Sequence, residues 1–338
     1  MSDTLDSAPA GAGTPAAAGR GPRDGSTAAG TAGATASPAR RRRGARRGRA
    51  SIWTALLWLG PALVLIAAVV IYPAIELVKA SMGQYSITGL RTGSAASKNF
   101  TNVLHHPDFG TVLKNTVVWV VAVVALTIVI SLGLAQLLSK EFFGRRAVRW
   151  AIIVPWAASL VITARLFTLL LDYYHGLLNR LLVSLHVLSR PVDFLGDDRW
   201  TMPAMVLVGV FVSLPFTIYV FLAGLSAIPG DVYEAARIDG ARPWQLYWQV
   251  TLPLLRPAMM VASVLNIIYV FNSFPIVYTL NDRNPGYTHD TSITFMYKLA
   301  FKSSEHSIGM SAAAGVCNVL LILAVVMVYL RLVKWQEA

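Results

Sequence analysis

Only 14% of the 338 residues are charged and 55% are hydrophobic, at a mean hydropathy of +0.55, a balance that excludes an ordinary water-soluble globular fold. The formal net charge is +12, but seven arginines fall between Arg40 and Arg49, directly before the first apolar run, with no aromatic or folded module beside them. That placement reads first as a topology determinant on the cytoplasmic side, next as a patch on anionic lipid, and argues against nucleic acid as the partner.

The chain divides by composition into a tail, 1–50, and an apolar remainder, 51–338. Met1 to Ala39 is Ala/Gly/Thr/Pro/Ser-rich and holds too little apolar bulk to order itself, so a disordered tail is expected. Arg40 to Tyr72 imitates a signal peptide, but its apolar part is too long for one and is retained as a span. Six runs reach the length of about 20 residues that a bilayer demands of a helix. They are Ile52 to Tyr72, Thr116 to Leu138, Trp150 to Leu171, Met202 to Leu225, Ala258 to Leu280 and Ile308 to Leu330, and Arg165 is the sole charge in them. Lys and Arg are densest in the tail, in the short connection with Lys140, Arg145, Arg146 and Arg149, around Arg237, Arg242 and Arg256, and at Arg331 and Lys334, which predicts both termini on the cytoplasmic side of the cell membrane. The six histidines are scattered among the opposite loops with no metal-ligand spacing and read as solvated. Cys317 is the only cysteine and excludes an intrachain disulfide.

The most informative stretch lies between the fourth and fifth runs, 229–257. Pro229-Gly230-Asp231 is a turn, with Asp231 suited to cap the helix that Glu234, Ala235 and Ala236 favour. Gly240 suits the left-handed residue that stops such a helix, and Pro243 suits the first turn of the next. Trp244, Tyr247, Trp248 and Leu252 then share one face up to Pro253. The pattern predicts a helix-turn-helix lying against the cytoplasmic surface.

Glu234-Ala235-Ala236, Asp239-Gly240-Ala241, Tyr247-Trp248, Val250, Leu252-Pro253 and Pro257 together resemble the EAA loop of permease subunits in binding-protein-dependent ABC importers, the sugar-transporting branch above all. Further matches are Asn99-Phe100, Asn115-Thr116, Pro155-Trp156, Leu214-Pro215-Phe216, Leu222 to Leu225, and Asn272, Phe274 and Tyr278. The Thr-Gly-Gly-Gly-Pro that permeases of the maltose-protein-F type carry after the fifth span is here reduced to Thr279 and Pro285. The resemblance implies an all-α integral membrane protein with six transmembrane helices, the type I importer permease fold. It also implies a coupling helix that docks on a separate ATPase, with a second permease subunit, two ATPase copies and an extracytoplasmic solute-binding protein as partners. Coupling then falls to Glu234, Ala235, Ala236, Asp239, Gly240, Trp244, Leu252 and Pro253, with Trp244, Tyr247 and Leu252 holding the loop against the span ends.

The chain contains no Gly-Lys pair, hence no phosphate-binding loop, and no hydrolase or zinc-protease motif, so it binds no ATP by that route and ATP would be hydrolysed by a partner. Arg165, Tyr219, Asn266, Asn272, Ser273 and Asn318 are the candidates for a solute pathway. Arg165 belongs in a wet cavity or in a pair with Asp172 or a backbone carbonyl; the small polar groups suit sugar hydroxyls and equally interhelical contacts, and Tyr219, Tyr269 and Phe271 suit stacking on a sugar ring or plain packing. A sugar is the expected solute, with glycerol 3-phosphate or another polar solute as the alternative on the same scaffold. A non-transporting membrane scaffold is the rival class; an autonomous carrier would need paired acids within the spans, and these are absent.

Overall fold

The computed structural model describes residues 52–334 except 87, 283, 285 and 303–306, so the tail read as 1–50 lies outside the described residues. The chain divides into two units, Met1–Leu56 and Leu57–Ala338. Of the first, only the helical stretch from Ile52 is described; the remaining elements all belong to the second.

The first span is α1 (Ile52–Ile66), continued through a π-helical turn, Ala67–Ile71, into α2 (Tyr72–Ser81). It outlasts the expected end at Tyr72, and the two charges it gains, Glu76 and Lys79, pair at 2.8 Å one turn apart. A two-stranded antiparallel hairpin follows, β1 (Gly83–Tyr85) with β2 (Arg91–Ser94), a small exception to the all-α expectation. Asn99 secures it by donating to the carbonyls of Ser81 and Gly83, both at 2.9 Å. Next come α3 (Lys98–Leu104), α4 (Phe109–Ser139), α5 (Arg145–Trp156), α6 (Leu160–Leu170), α7 (Leu177–Ser184) and α8 (Asp198–Ser226). The loop holds α9 (Gly230–Ile238), then α10 (Pro243–Gln245), a π-helical stretch Leu246–Thr251, and α11 (Leu252–Leu254). The chain closes with α12 (Arg256–Phe271), α13 (Phe274–Leu280), α14 (Ser292–Phe301) and α15 (Ile308–Lys334).

Among the described residues four helical stretches are long and apolar enough to cross a bilayer, Leu56–Ser81, α4, α8 and α15, and two bent pairs, α5 with α6 and Pro243–Leu254 with α12, raise the number to six. The third run is not one rod: α5 and α6 meet at 101°. The fifth run also stops early. Asn272 and Ser273 turn their side chains back onto the carbonyls of Ile268 and Tyr269 at 2.8 and 3.0 Å, and Pro275 has no N–H to offer, so the helix breaks after Phe271 and restarts as α13.

Within lipid, apolar side chains gain little by leaving the solvent, so close packing and interhelical hydrogen bonds hold the bundle. Both meet at α8, two-thirds of whose apolar window is buried while that of the first span is bare. Gly209 lets α4 approach: a Cβ there would come within 2.6 Å of Trp119. Trp119, itself fully buried, donates its indole N–H to the Val270 carbonyl at 2.9 Å and ties α4 to α12. A second cluster, Leu138, Ile218, Phe221, Leu255 and Ala262, closes the α9 end, and a third, Val103, Val112, Phe295 and Met310, the opposite end.

Candidate functional site

At one end of the bundle α8 and α12 are joined by the helix-turn-helix. Pro229, not Asp231, occupies the cap of α9, and Asp231 sits inside the first turn, where its carboxylate still meets the positive end of the helix. At the other end of α9 Gly240 has φ +79°; its N–H bonds the Arg237 carbonyl and that of Ala241 the Ala236 carbonyl, both at 3.0 Å. These two bonds make the left-handed stop that glycine permits. Pro243 opens the next helix as expected, and the Gln245 carboxamide accepts the Arg242 N–H at 2.8 Å. Tyr233 reaches Thr251 at 3.3 Å, latching α9 to the second helix.

No residue of α9 is buried, and Glu234, Ala235 and Asp239 are exposed. Ile238 (87% exposed), Trp244 (59%) and Trp248 (60%) form the apolar outer surface of the helix-turn-helix. Trp244 therefore faces away from the span ends, and Tyr247, Leu252 and Pro253 take the half-buried side. Trp244 and Trp248 stand four residues apart and so share this outer side.

The break between α5 and α6 opens the middle of the bundle. Two adjoining cavities, ≈ 320 and ≈ 240 Å³, share Trp156, Val212 and Tyr269. The larger adds Ser213, Phe216, Leu265 and Asn266, the smaller Pro155, Thr163 and Phe211. Asn266 donates to Thr217 Oγ1 at 2.8 Å and to the Ala262 carbonyl at 2.9 Å, which commits both its N–H bonds and leaves the carboxamide oxygen as its free acceptor. Thr217 and Ser213 donate in turn to the Ser213 and Gly209 carbonyls. Pro215 has no N–H for the Phe211 carbonyl, which adds a second acceptor beside the cavities. The walls carry no charged side chain: aromatic faces, hydroxyls and acceptors line them.

The solute-pathway candidates do not converge. Asn266 lines the larger cavity; Asn272 and Ser273 lie at the break above it, bonded to their own helix. Tyr219 packs, half-buried, with the cluster at the α9 end. Arg165 is exposed on α6, while the Asp172 carboxylate accepts the N–H groups of Tyr174 and His175. Asn318 donates to the Ser292 carbonyl at 3.2 Å and belongs to a separate apolar cavity near Phe295.

At the end opposite α9, the loop after α13 is tied to the other spans. Asn115 donates to the carbonyls of Thr288 and Asp290, and His289 meets Asp198, the first residue of α8, at 2.8 Å. His289 is buried, which corrects its reading as solvated; His106 packs edge-on against Tyr287 and Phe295, and His306 lies outside the described residues. No cluster of three metal-ligating side chains occurs among the described residues. Asp290 and Lys298 form a buried ion pair at 2.7 Å.

Residues 125–337 match the family described as the inner membrane component of binding-protein-dependent transport systems. The chain belongs to that family. A probable ABC transporter permease protein of Brucella suis is 36% identical to this permease over 277 residues, 82% of this chain and 95% of the relative. The trehalose/maltose transport system permease protein of Thermococcus litoralis is 33% identical over 240 residues, 71% and 80% of the two chains. In structure, the permease superposes on a chain of a bacterial ABC transporter that imports the acidic polysaccharide alginate, with a TM-score of 0.72 at 23% identity, over 83% of this chain and 95% of that one. The fold is thus that of a type I importer permease, a multi-pass membrane protein. Permease subunits of this kind have no ATPase site of their own, so the chain is a transporter component and not an enzyme.

Several residues of the site carry no mark in the sequence. Ser213 and Thr217 look like any small polar residue in a span, and Trp156 stands out only as half of a matching pair; their common wall depends on the bend between α5 and α6. Lys298 and Asp290 lie outside the apolar runs, where hydropathy carries no signal for a buried pair.

Proposed function

We propose that this permease forms part of the path by which a carbohydrate crosses the cell membrane, driven by ATP hydrolysed in a separate subunit. The observation that carries the reading is the exposed outer side of the helix-turn-helix: no residue of α9 is fully buried, and the loop that joins α8 to α12 presents Ile238, Trp244 and Trp248 outward. An apolar surface of this kind at a membrane boundary requires a partner. Family membership supports an ATPase as that partner, seated on Glu234, Ala235, Ala236, Asp239 and Gly240, with a second permease and an extracytoplasmic binding protein completing the assembly. The distribution of Lys and Arg supports cytoplasmic termini and a cytoplasmic α9.

The uncharged cavities at Trp156 and Tyr269 favour a neutral sugar over glycerol 3-phosphate. An anion there would find no cationic side chain, whereas hydroxyls meet the Asn266 oxygen and the ring faces of Trp156 and Tyr269. The kinship with a trehalose/maltose permease supports the same class.

ATP turnover and uptake of maltose, trehalose and glycerol 3-phosphate by the reconstituted complex test this reading together. Gly240→Pro forces φ away from +79° and deletes the N–H that bonds Arg237, so it should leave ATP binding intact and abolish uptake. Undiminished uptake by that variant rejects the coupling role, and transport of glycerol 3-phosphate alone rejects the sugar.

A further inference from the structure

A polar cavity of ≈ 370 Å³ lies at the end of the bundle opposite α9, lined by Tyr278, Asn281, Asp282, Asp290, Lys298 and Lys302, with Asn284 beside them. Its two aspartates and two lysines cancel in formal charge. Asp290 is 1% exposed and its Oδ1 accepts from Asn281 at 2.8 Å. Its Oδ2 is fully buried against Lys298 Nζ at 2.7 Å, so the ion pair closes the floor of the cavity. Lys298 also donates to the carbonyls of Asn284 and Gly286. With that pair buried, Asp282 and Lys302 are the charged side chains left open to the cavity.

Lys302 supplies the complementary group. It is half-exposed, lies 3.4 Å from Asp282 Oδ1 and stands 5.0 Å over the Tyr278 ring. Tyr278 raises the pKa of this ammonium against a smaller opposing effect of burial, so the donor stays charged. The ring is itself fixed, stacked on Phe274 at 5.0 Å and set edge-on to Tyr297. A phosphate or carboxylate entering here meets two aspartates, and a cation meets two lysines. A hydroxyl, which both donates and accepts, satisfies both walls.

We infer that this cavity is a second binding station, for a neutral polyhydroxylated solute, in which Asp282 accepts a hydroxyl hydrogen and Lys302 donates to a hydroxyl oxygen. The inference rests on the carbohydrate reading above. The two stations sit on either side of the same helix break, with Tyr269 before Asn272-Ser273 and Tyr278 after it, so the fifth span carries both.

Acetic anhydride labelling of Lys302, followed by mass spectrometry on the reconstituted complex without its binding protein, tests it. Maltose or trehalose should slow labelling about threefold, the effect of two-thirds occupancy, and glycerol 3-phosphate should not. Absence of slowing by both sugars overturns the station. The slowing should persist in Tyr269→Ala, which empties the other cavity of its ring; its loss there assigns the effect to that cavity and overturns the proposal. Lys302→Gln, at an exposed position, should raise the half-saturating sugar concentration for uptake about tenfold with the maximal rate kept, and an unchanged value is a second refutation. Uptake of sugar without protection of Lys302 removes the station and leaves the transport reading standing; protection without uptake does the reverse.

Discussion

Gly240 and Lys298 show how much a single residue can fix. At φ +79° a Cβ at position 240 would strain the backbone by about 1–2 kcal/mol even though nothing crowds it, so the glycine is required by conformation and not by space. That requirement is readable from the sequence, because a glycine between a helix-forming run and Ala241-Arg242-Pro243 has few other uses. Lys298 is the opposite case. It neutralises a carboxylate that is 1% exposed, so Lys298→Met strands a buried charge and should cost about 3–5 kcal/mol. The expected result is a marked fall in thermal unfolding temperature in detergent. Asp290→Asn combined with Lys298→Met removes both charges and should recover much of the loss; no recovery would mean that the pair does not carry the stability of this loop.

At the level of the element, hydropathy locates the six apolar runs and misses their breaks. Ala157, Ala158 and Ser159 are as apolar or small as their neighbours, so nothing in a sliding average marks a 101° bend. The second break does leave a mark, since Asn272-Ser273 with Pro275 close behind is a stop-and-restart signal inside an apolar run. The helix-turn-helix is legible in outline because glycine, proline and capping chemistry act locally, whereas the side of it that carries Trp244 is set by tertiary packing that spacing alone does not announce. The bend has a measurable consequence. The first N–H groups of α6, Leu160 to Ile162, have no helical partner behind them. In nanodiscs these amides should exchange with deuterium faster than those of Ala164 to Phe167 within the same apolar run, and equal protection would mean that α5 and α6 form one continuous helix in the membrane.

For the whole molecule the decisive contrast is between α8, enclosed by its own chain, and the first span, whose apolar window holds no buried residue. The apolar window of Leu56–Ser81 has only lipid or another subunit to cover it. A lipid-soluble carbene reagent applied to the isolated chain in micelles should therefore mark Leu57, Leu65 and Val69 densely and Met205, Val208 and Phe221 sparsely. Equal labelling of the two groups would contradict the central position of α8. This contrast lies beyond the sequence, since both runs are strongly apolar and only their neighbours differ.

The enclosed position of α8 gives it two dissimilar ends. One leads within three residues into α9, and the other begins at Asp198, fastened to His289 in the loop that carries Asp290. A helix of 29 residues is about 43 Å long. Under the proposed coupling, a push delivered at α9 would travel through a single backbone to the far mouth, past Pro215, which leaves one carbonyl without its helical N–H beside the Trp156 chamber. Docking on one surface and opening on the other would then be consecutive readings of one connecting rod, with no chain of side-chain handoffs between them.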